Sequence, residues 1–114
     1  ISLSKIINLN LKIIKKIIYK KINSLIQIKK PNDILINKKK VCGILQETLK
    51  IEKKLFLIIG VGVNTIIAPK SKNIKAISLN ESGKIKIQKK DILINIKNKY
   101  EKTFFNYKLN KCLL

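Results

Sequence analysis

The chain reads as an α+β domain: a mixed, mainly antiparallel sheet with helices packed on one face. Three observations predict this. Apolar residues recur at helical spacing near the start. A cluster of short strand-like runs separated by turn chemistry follows. A second helical pattern closes the chain.

Leu3 to about Lys21 is expected to be an amphipathic helix. Leu3, Ile7, Leu11, Ile14 and Ile18 recur at spacings of three and four, and Ile6, Ile13 and Ile17 widen the stripe. From about Ser24 the period changes. Leu25 to Ile28 is a short apolar run, Pro31-Asn32-Asp33 is a turn, and Ile34 to Ile36 runs extended. Pro31 lacks a backbone N–H and biases Lys30 away from helix. Asn37 to Lys39 turns again, into Val41 to Leu49. These are three antiparallel strands joined by short turns. Lys53 to Val63 is a fourth. Its continuous apolar run, Leu55 to Ile59, predicts burial on both faces.

Ile66 to Lys75 reads as a loop. Ala76 to Leu79 is a short extended piece or a helix start, and Glu81 to Gln88 holds a turn at Gly83 and an Ile85/Ile87 alternation. Lys89 to about Tyr107 is a second helix, with Leu93, Ile96, Tyr100, Phe104 and Tyr107 along one face.

With 114 residues the chain allows one domain, or a part of a larger one. It begins at Ile1 in a helical pattern, with no signal-peptide pattern before it. Lys interrupts every apolar run before the ~18 residues of a membrane span. A cytoplasmic protein without membrane attachment is expected. The net charge is +20, and all 26 basic residues are Lys, with no Arg and no His. Such charge suits a nucleic-acid partner, but the Lys residues are spread over the whole chain, whereas a phosphate footprint clusters on one face. Lys, Ile and Asn, the residues an AT-rich genome over-encodes, make up more than half of the sequence. Without His, neither a Ser/His nor a Cys/His nucleophile can form. Cys42 and Cys112 are too far apart in sequence for a Cys-x-x-Cys zinc site; Cys42 reads as a small buried hydrophobe.

Gly60 and Gly62 alternate within an apolar strand and share a face. Glycine there either floors a site for a small planar ligand or marks packing or a bulge. Gly-x-Gly alone is no dinucleotide fingerprint, because the third Gly and a following helix are absent. Gly43 also lies in an apolar strand. Lys38, Lys39 and Lys40 read plainly as a solvated hairpin turn, and Asn32 and Asp33 as turn chemistry. Glu47 and Glu52 are most simply solvent-facing or salt-bridged.

Three segments, taken in order, resemble the centre of the catalytic domain of biotin protein ligases. They are Lys29-Lys30-Pro31-Asn32-Asp33, then Lys40-Val41-Cys42-Gly43-Ile44-Leu45-Gln46-Glu47, then Gly60-Val61-Gly62-Val63-Asn64. That family carries Lys-Trp-Pro-Asn-Asp, Lys-(Ile/Val)-(Ala/Cys)-Gly-Ile-Leu-x-Glu and Gly-x-Gly-(Ile/Val)-Asn. The resemblance covers roughly Ser2 to Tyr107. It implies that residues 1–114 are the central and C-terminal part of a class II synthetase-like ligase domain, with no second domain. It also implies the reaction: biotin and MgATP give biotinyl-5′-AMP, and biotin passes to a lysine of a biotin carboxyl carrier domain, as in acetyl-CoA carboxylase.

By the same resemblance Lys40 is catalytic and reaches the biotin carboxylate, where a compact ammonium can stabilise developing charge. Gly43, Leu45 and Gly60 line the biotin side. Lys29, Asn32, Asp33, Gly62 and Asn64 line the ATP side, with Asn64 at the adenine end and Asp33 a candidate for magnesium. From their placement on adjacent strands with compatible two-residue periodicity, Lys40, Gly43, Gly60, Gly62 and Asn64 are expected on one sheet face around one concavity.

The chain departs from the family pattern in places. Lys30 replaces the usual Trp. There is no Arg for the family's upstream Gly-Arg-Gly-Arg-type loop and no C-terminal barrel, so the isolated chain is expected to be weak or inactive. The lipoate ligases share the fold, but Gly43-Ile44-Leu45 and Pro31-Asn32-Asp33 favour biotin. Sheet edges leave room for a homodimer. The competing function is a small basic RNA-binding or ribosome-associated module.

Overall fold

The computed structural model describes residues 3–21, 25–83 and 88–112. Helix α1 spans Leu3–Lys21, followed by strands β1 (Ile26–Lys29), β2 (Asp33–Ile36), β3 (Lys39–Ile51) and β4 (Lys54–Val63). Two helices close the chain: α2 (Leu79–Gly83) and α3 (Lys89–Cys112). The four strands form one antiparallel sheet in the order β1-β2-β3-β4. A single parallel bridge, Lys40 to Ala76, makes the pairing mixed.

The sheet grows from successive hairpins. Asn37 and Lys38 hold φ of 50° and 65° between the paired residues Ile36 and Lys39. Two positive φ values in a two-residue loop fit the right-handed twist of the strands it joins. Glu52, at φ 55°, performs the corresponding reversal between β3 and β4.

The core lies between α1 and one face of the sheet. Leu11, Ile14 and Ile18 of α1 are buried against Ile34 and Ile36 of β2 and Val41, Cys42 and Ile44 of β3. The expected stripe of α1 is the one used; Ile13 and Ile17 join it, and the side chain of Leu3 lies outside the described residues. On α3 the buried line is Ile92, Ile96 and Tyr100. Leu93, expected on that face, is 68% exposed. Its spacing to Ile96 is as helical as that of Ile92, so periodicity left the choice open, and the core buries Ile92. The side chain of Tyr107 and the Ile85/Ile87 alternation lie outside the described residues.

A second correction concerns β4. Leu55 is 72% exposed, Phe56 46% and Ile58 49%. The strand is at the sheet edge and helices cover only one face, so it is not buried on both. Only Ile59, Val61 and Val63, towards its end, pack on the core. Among the described residues, no helix is long and apolar enough to cross a membrane.

Candidate active site

The sheet face opposite the helices carries the residues of interest. On β3, Cys42, Ile44 and Gln46 point to the helices: Cys42 and Ile44 are buried, and Gln46 accepts a 3.1 Å hydrogen bond from Asn10 of α1. Alternation puts Gly43, Leu45 and Glu47 on the other face. On β4, Val61 and Val63 pack on the core, which sends Gly60 and Gly62 the same way as Gly43. The register places Gly43 opposite Gly62 and Leu45 opposite Gly60.

Lys40 is three residues from Gly43, so strict alternation would set the two on opposite faces. A bulge decides otherwise. Ile34 pairs with Cys42 while Leu35 pairs with Lys40, which leaves Val41 as an extra residue. Val41 and Cys42 are then both buried, and Lys40 returns to the face of Gly43. Its ammonium lies 3.2 Å from Asp33 Oδ1. Asp33 is itself the cross-strand partner of Gly43. A β-carbon on Gly43 would fall 3.2 Å from both Cε and Nζ of Lys40, so glycine makes room for the lysine side chain over the strand. At Gly60 and Gly62 a β-carbon would meet nothing closer than 3.8 Å.

Asn64 holds the end of this arrangement. Its backbone N–H donates to Val41 O at 2.9 Å. Its carboxamide N–H groups donate to Lys40 O at 3.3 Å and Ile77 O at 3.2 Å. The chain after the long loop is stitched to the same point, with Lys40 N donating to Lys75 O and Ile77 N to Lys40 O. Ser78 Oγ donates to Ile66 O at 2.9 Å and accepts from Glu81 N at 3.1 Å, capping α2 and fixing the loop's start.

These contacts enclose a cleft of 390 Å³, lined by Lys40, Gly43, Gly62, Val63, Asn64, Pro69, Ser71, Ile74 and Ala76. Of the five residues expected around one concavity, Lys40, Gly43, Gly62 and Asn64 line it. Gly60 and Leu45 share the face but lie outside the lining, and Leu45 is 68% exposed. Lys29, on β1, is exposed and outside the cleft, because two strands separate it from β4. Asn32 sits in the β1–β2 turn, half-buried, and its carbonyl accepts from Ile44 N. Glu47 and Glu52 are exposed, as expected. The loop residues Pro69, Ser71 and Ile74 were legible only as a loop; their place at the cleft comes from the long-range bridge at Ala76. A larger cavity of 780 Å³ lies on the helix side, between the end of β4 and α3. Its walls are mostly apolar, with Lys89 at the rim.

Burial pushes the Cys42 thiol up to about 12, with Asp33 adding to the rise and Lys40 opposing it. Cys42 is therefore an inert core thiol, as its strand position predicts. Magnesium does not fit as a resident ion. Among the described residues no three His, Cys, Asp or Glu side chains gather, and Asp33 Oδ1 already faces the Lys40 ammonium. A divalent ion on that oxygen would meet a like charge.

An antiparallel sheet with helices on one face, and on the other a cleft lined by Gly43, Gly62 and the Lys40 side chain, defines an α+β domain with a cationic cleft on its open face. A sequence model of the Biotin/lipoate A/B protein ligase family matches residues 2–64, more than half of the chain, and the chain belongs to that family. No curated protein sequence matches it.

Solved structures share the fold. The biotin protein ligase from Aquifex aeolicus is 22% identical, with a TM-score of 0.75 over 93% of this chain and 48% of that one. The Leishmania major biotin protein ligase in complex with biotinyl-5-AMP is 21% identical, with a TM-score of 0.65 over 77% and 42%. LipL1 from P. falciparum, in complex with lipoate, is 20% identical, with a TM-score of 0.59 over 88% and 32%. The chain thus spans less than half the length of these relatives.

Proposed function

We propose that the chain forms the biotin- and nucleotide-facing part of a biotin protein ligase catalytic domain. The observation that carries this reading is Lys40, whose ammonium stands over Gly43 at the mouth of a cleft floored by Gly62. Biotin would lie along the open face by Gly43, Gly60 and Leu45, with its carboxylate towards Lys40. ATP would enter on the side of Gly62, Asn32 and Asp33. A carboxylate oxygen of biotin attacks the α-phosphorus, pyrophosphate leaves, and biotinyl-5′-AMP forms. The amine of a carrier-domain lysine then attacks the anhydride carbonyl and AMP leaves. Lys40 lowers the repulsion between carboxylate and phosphate in the first step and stabilises the charge that develops. Magnesium enters with ATP as part of the substrate.

Further support comes from an Aquifex aeolicus biotin protein ligase structure of the same fold that holds biotin and ATP. The lipoate-bound neighbour makes lipoate the competing ligand. Asn64 is the residue whose role changes most from expectation. Its amide N–H groups are committed to Lys40 O and Ile77 O, so it supports the cleft wall rather than presenting those donors to adenine. The acceptor protein would be a biotin carboxyl carrier domain, met in the cytoplasm.

Three alanine variants test the reading. Lys38, Lys39 and Lys40 are consecutive, but Lys38 and Lys39 are exposed and only Lys40 lines the cleft. Calorimetric titration with a non-hydrolysable biotinyl-adenylate analogue should show Lys40→Ala losing about 1.5 to 3 kcal/mol, roughly 10- to 150-fold in Kd. The side chain is 34% exposed, so the lower end is expected. Lys38→Ala and Lys39→Ala should change Kd by less than about twofold. Equal small losses in all three, or tighter binding of lipoate than of biotin, would remove this function.

A further inference from the structure

We propose that Asp33 is a positioning residue, which holds the Lys40 ammonium over Gly43 so that the cleft receives its anionic ligand at one fixed point. This deepens the proposed function and rests on it for the identity of the ligand.

Three features of the chain converge on the Lys40 side chain. The extra residue at Val41 turns Lys40 to the open face. The missing β-carbon at Gly43 leaves room for Cε and Nζ to lie across β3. Asp33, the partner of Gly43 on β2, reaches the ammonium at 3.2 Å. The main chain of Lys40 is fixed as well, by Asn64 and by the bonds to Lys75 and Ile77. The side chains of Lys40 and Asp33 are 34% and 24% exposed, so the pair is partly shielded but open to the cleft. A lysine has four rotatable side-chain bonds, and an untethered ammonium would lose that freedom on meeting its ligand. Asp33 has already restricted it. An ammonium offers three donors, and one directed to Asp33 leaves others for an incoming carboxylate.

The two roles open to Asp33 predict opposite signs. If it were only a negative charge competing for Lys40, Asp33→Asn would strengthen the binding of anions. As a positioning residue, it must weaken that binding even though a repulsive charge has been removed. The probe pair is biotin and biotinol, its neutral alcohol, titrated into the full chain. The ratio of their Kd values isolates the carboxylate. Asp33→Asn should reduce the preference for biotin by roughly two- to tenfold. Gly43→Ala should do likewise, because its new methyl displaces the ammonium while Asp33 keeps its charge.

A second readout needs no ligand. The Lys40 ammonium should give a slowly exchanging ¹H–¹⁵N signal in cold NMR spectra, identified by its loss in Lys40→Arg, and Asp33→Asn should broaden or abolish it. Circular dichroism confirms that each variant is folded. An unchanged Lys40 signal in Asp33→Asn, or a raised preference for biotin, overturns the proposal. Failure of the wild-type chain to bind biotin would instead overturn the ligase reading, and the NMR comparison would still decide the role of Asp33.

Discussion

Gly62 separates a ligand floor from a packing position, because the two make different demands on stability. At Gly62 an added β-carbon meets only Gly43 O, at 3.8 Å, an ordinary contact. No glycine among the described residues has a positive φ, so the backbone at 62 is one that any residue adopts. The residue is exposed on an edge strand, and alanine or valine suits a strand better than glycine. Gly62→Ala and Gly62→Val should therefore leave stability unchanged or raise it by about 0.5 to 1 kcal/mol. Yet each places its side chain against the 390 Å³ cleft. Overfilling a fitted site costs about 1 to 3 kcal/mol, which is roughly 5- to 150-fold in affinity, with valine the worse. Urea unfolding followed by fluorescence gives the first quantity, and titration with the biotinyl-adenylate analogue gives the second. A Gly62→Val chain that loses more than about 1 kcal/mol of stability while binding normally would show that this glycine serves packing, and the floor argument would fail.

Two further outcomes follow from the core. The Cys42 thiol ordinarily ionises at 9.0 but is pushed up to about 12 by burial and by Asp33, against Lys40. Above pH 9 the unfolded chain therefore releases a proton that the folded chain retains. The contribution is fully present below pH 9 and is lost as pH rises towards 12, by up to about 1.4 kcal/mol per unit. Denaturant midpoints between pH 8 and 10.5 should fall more steeply for wild type than for Cys42→Ala; equal slopes would contradict the burial of this thiol. At Tyr100, burial raises the phenol above its usual range, and the buried hydroxyl has no hydrogen-bond partner among the described residues. Tyr100→Phe keeps the ring stacked on Phe104, whose centroid is 5.9 Å away, and removes an unpaired polar group. Thermal unfolding should show stability unchanged or raised by about 1 kcal/mol; a loss greater than that would mean the hydroxyl has a partner in solution.

Local pattern determined the element order of this chain. A stripe at three-four spacing predicts α1, and alternating runs broken by Pro31-Asn32-Asp33 and Asn37-Lys38 predict β1 to β4, because backbone propensity and turn chemistry act within a few residues. Tertiary structure decided what those elements face. The Leu55 to Ile59 run is as apolar as a doubly buried strand, but Leu55, Phe56 and Ile58 are left exposed among the described residues, and hydrophobicity alone does not report which residues find a partner. Leu93 and Ile92 both stand at helical spacing from Ile96, and only the assembled core buries one of them. The site shows the same division. The sequence placed Gly43, Gly60 and Gly62 on one face through their two-residue period, and the resemblance singled out Lys40. Lys40 and Gly43 stand three positions apart, an odd number, and only the bulge at Val41 reconciles their faces. A bulge is a mismatch between two strands, a property of the pairing of β2 with β3 that neither strand carries alone.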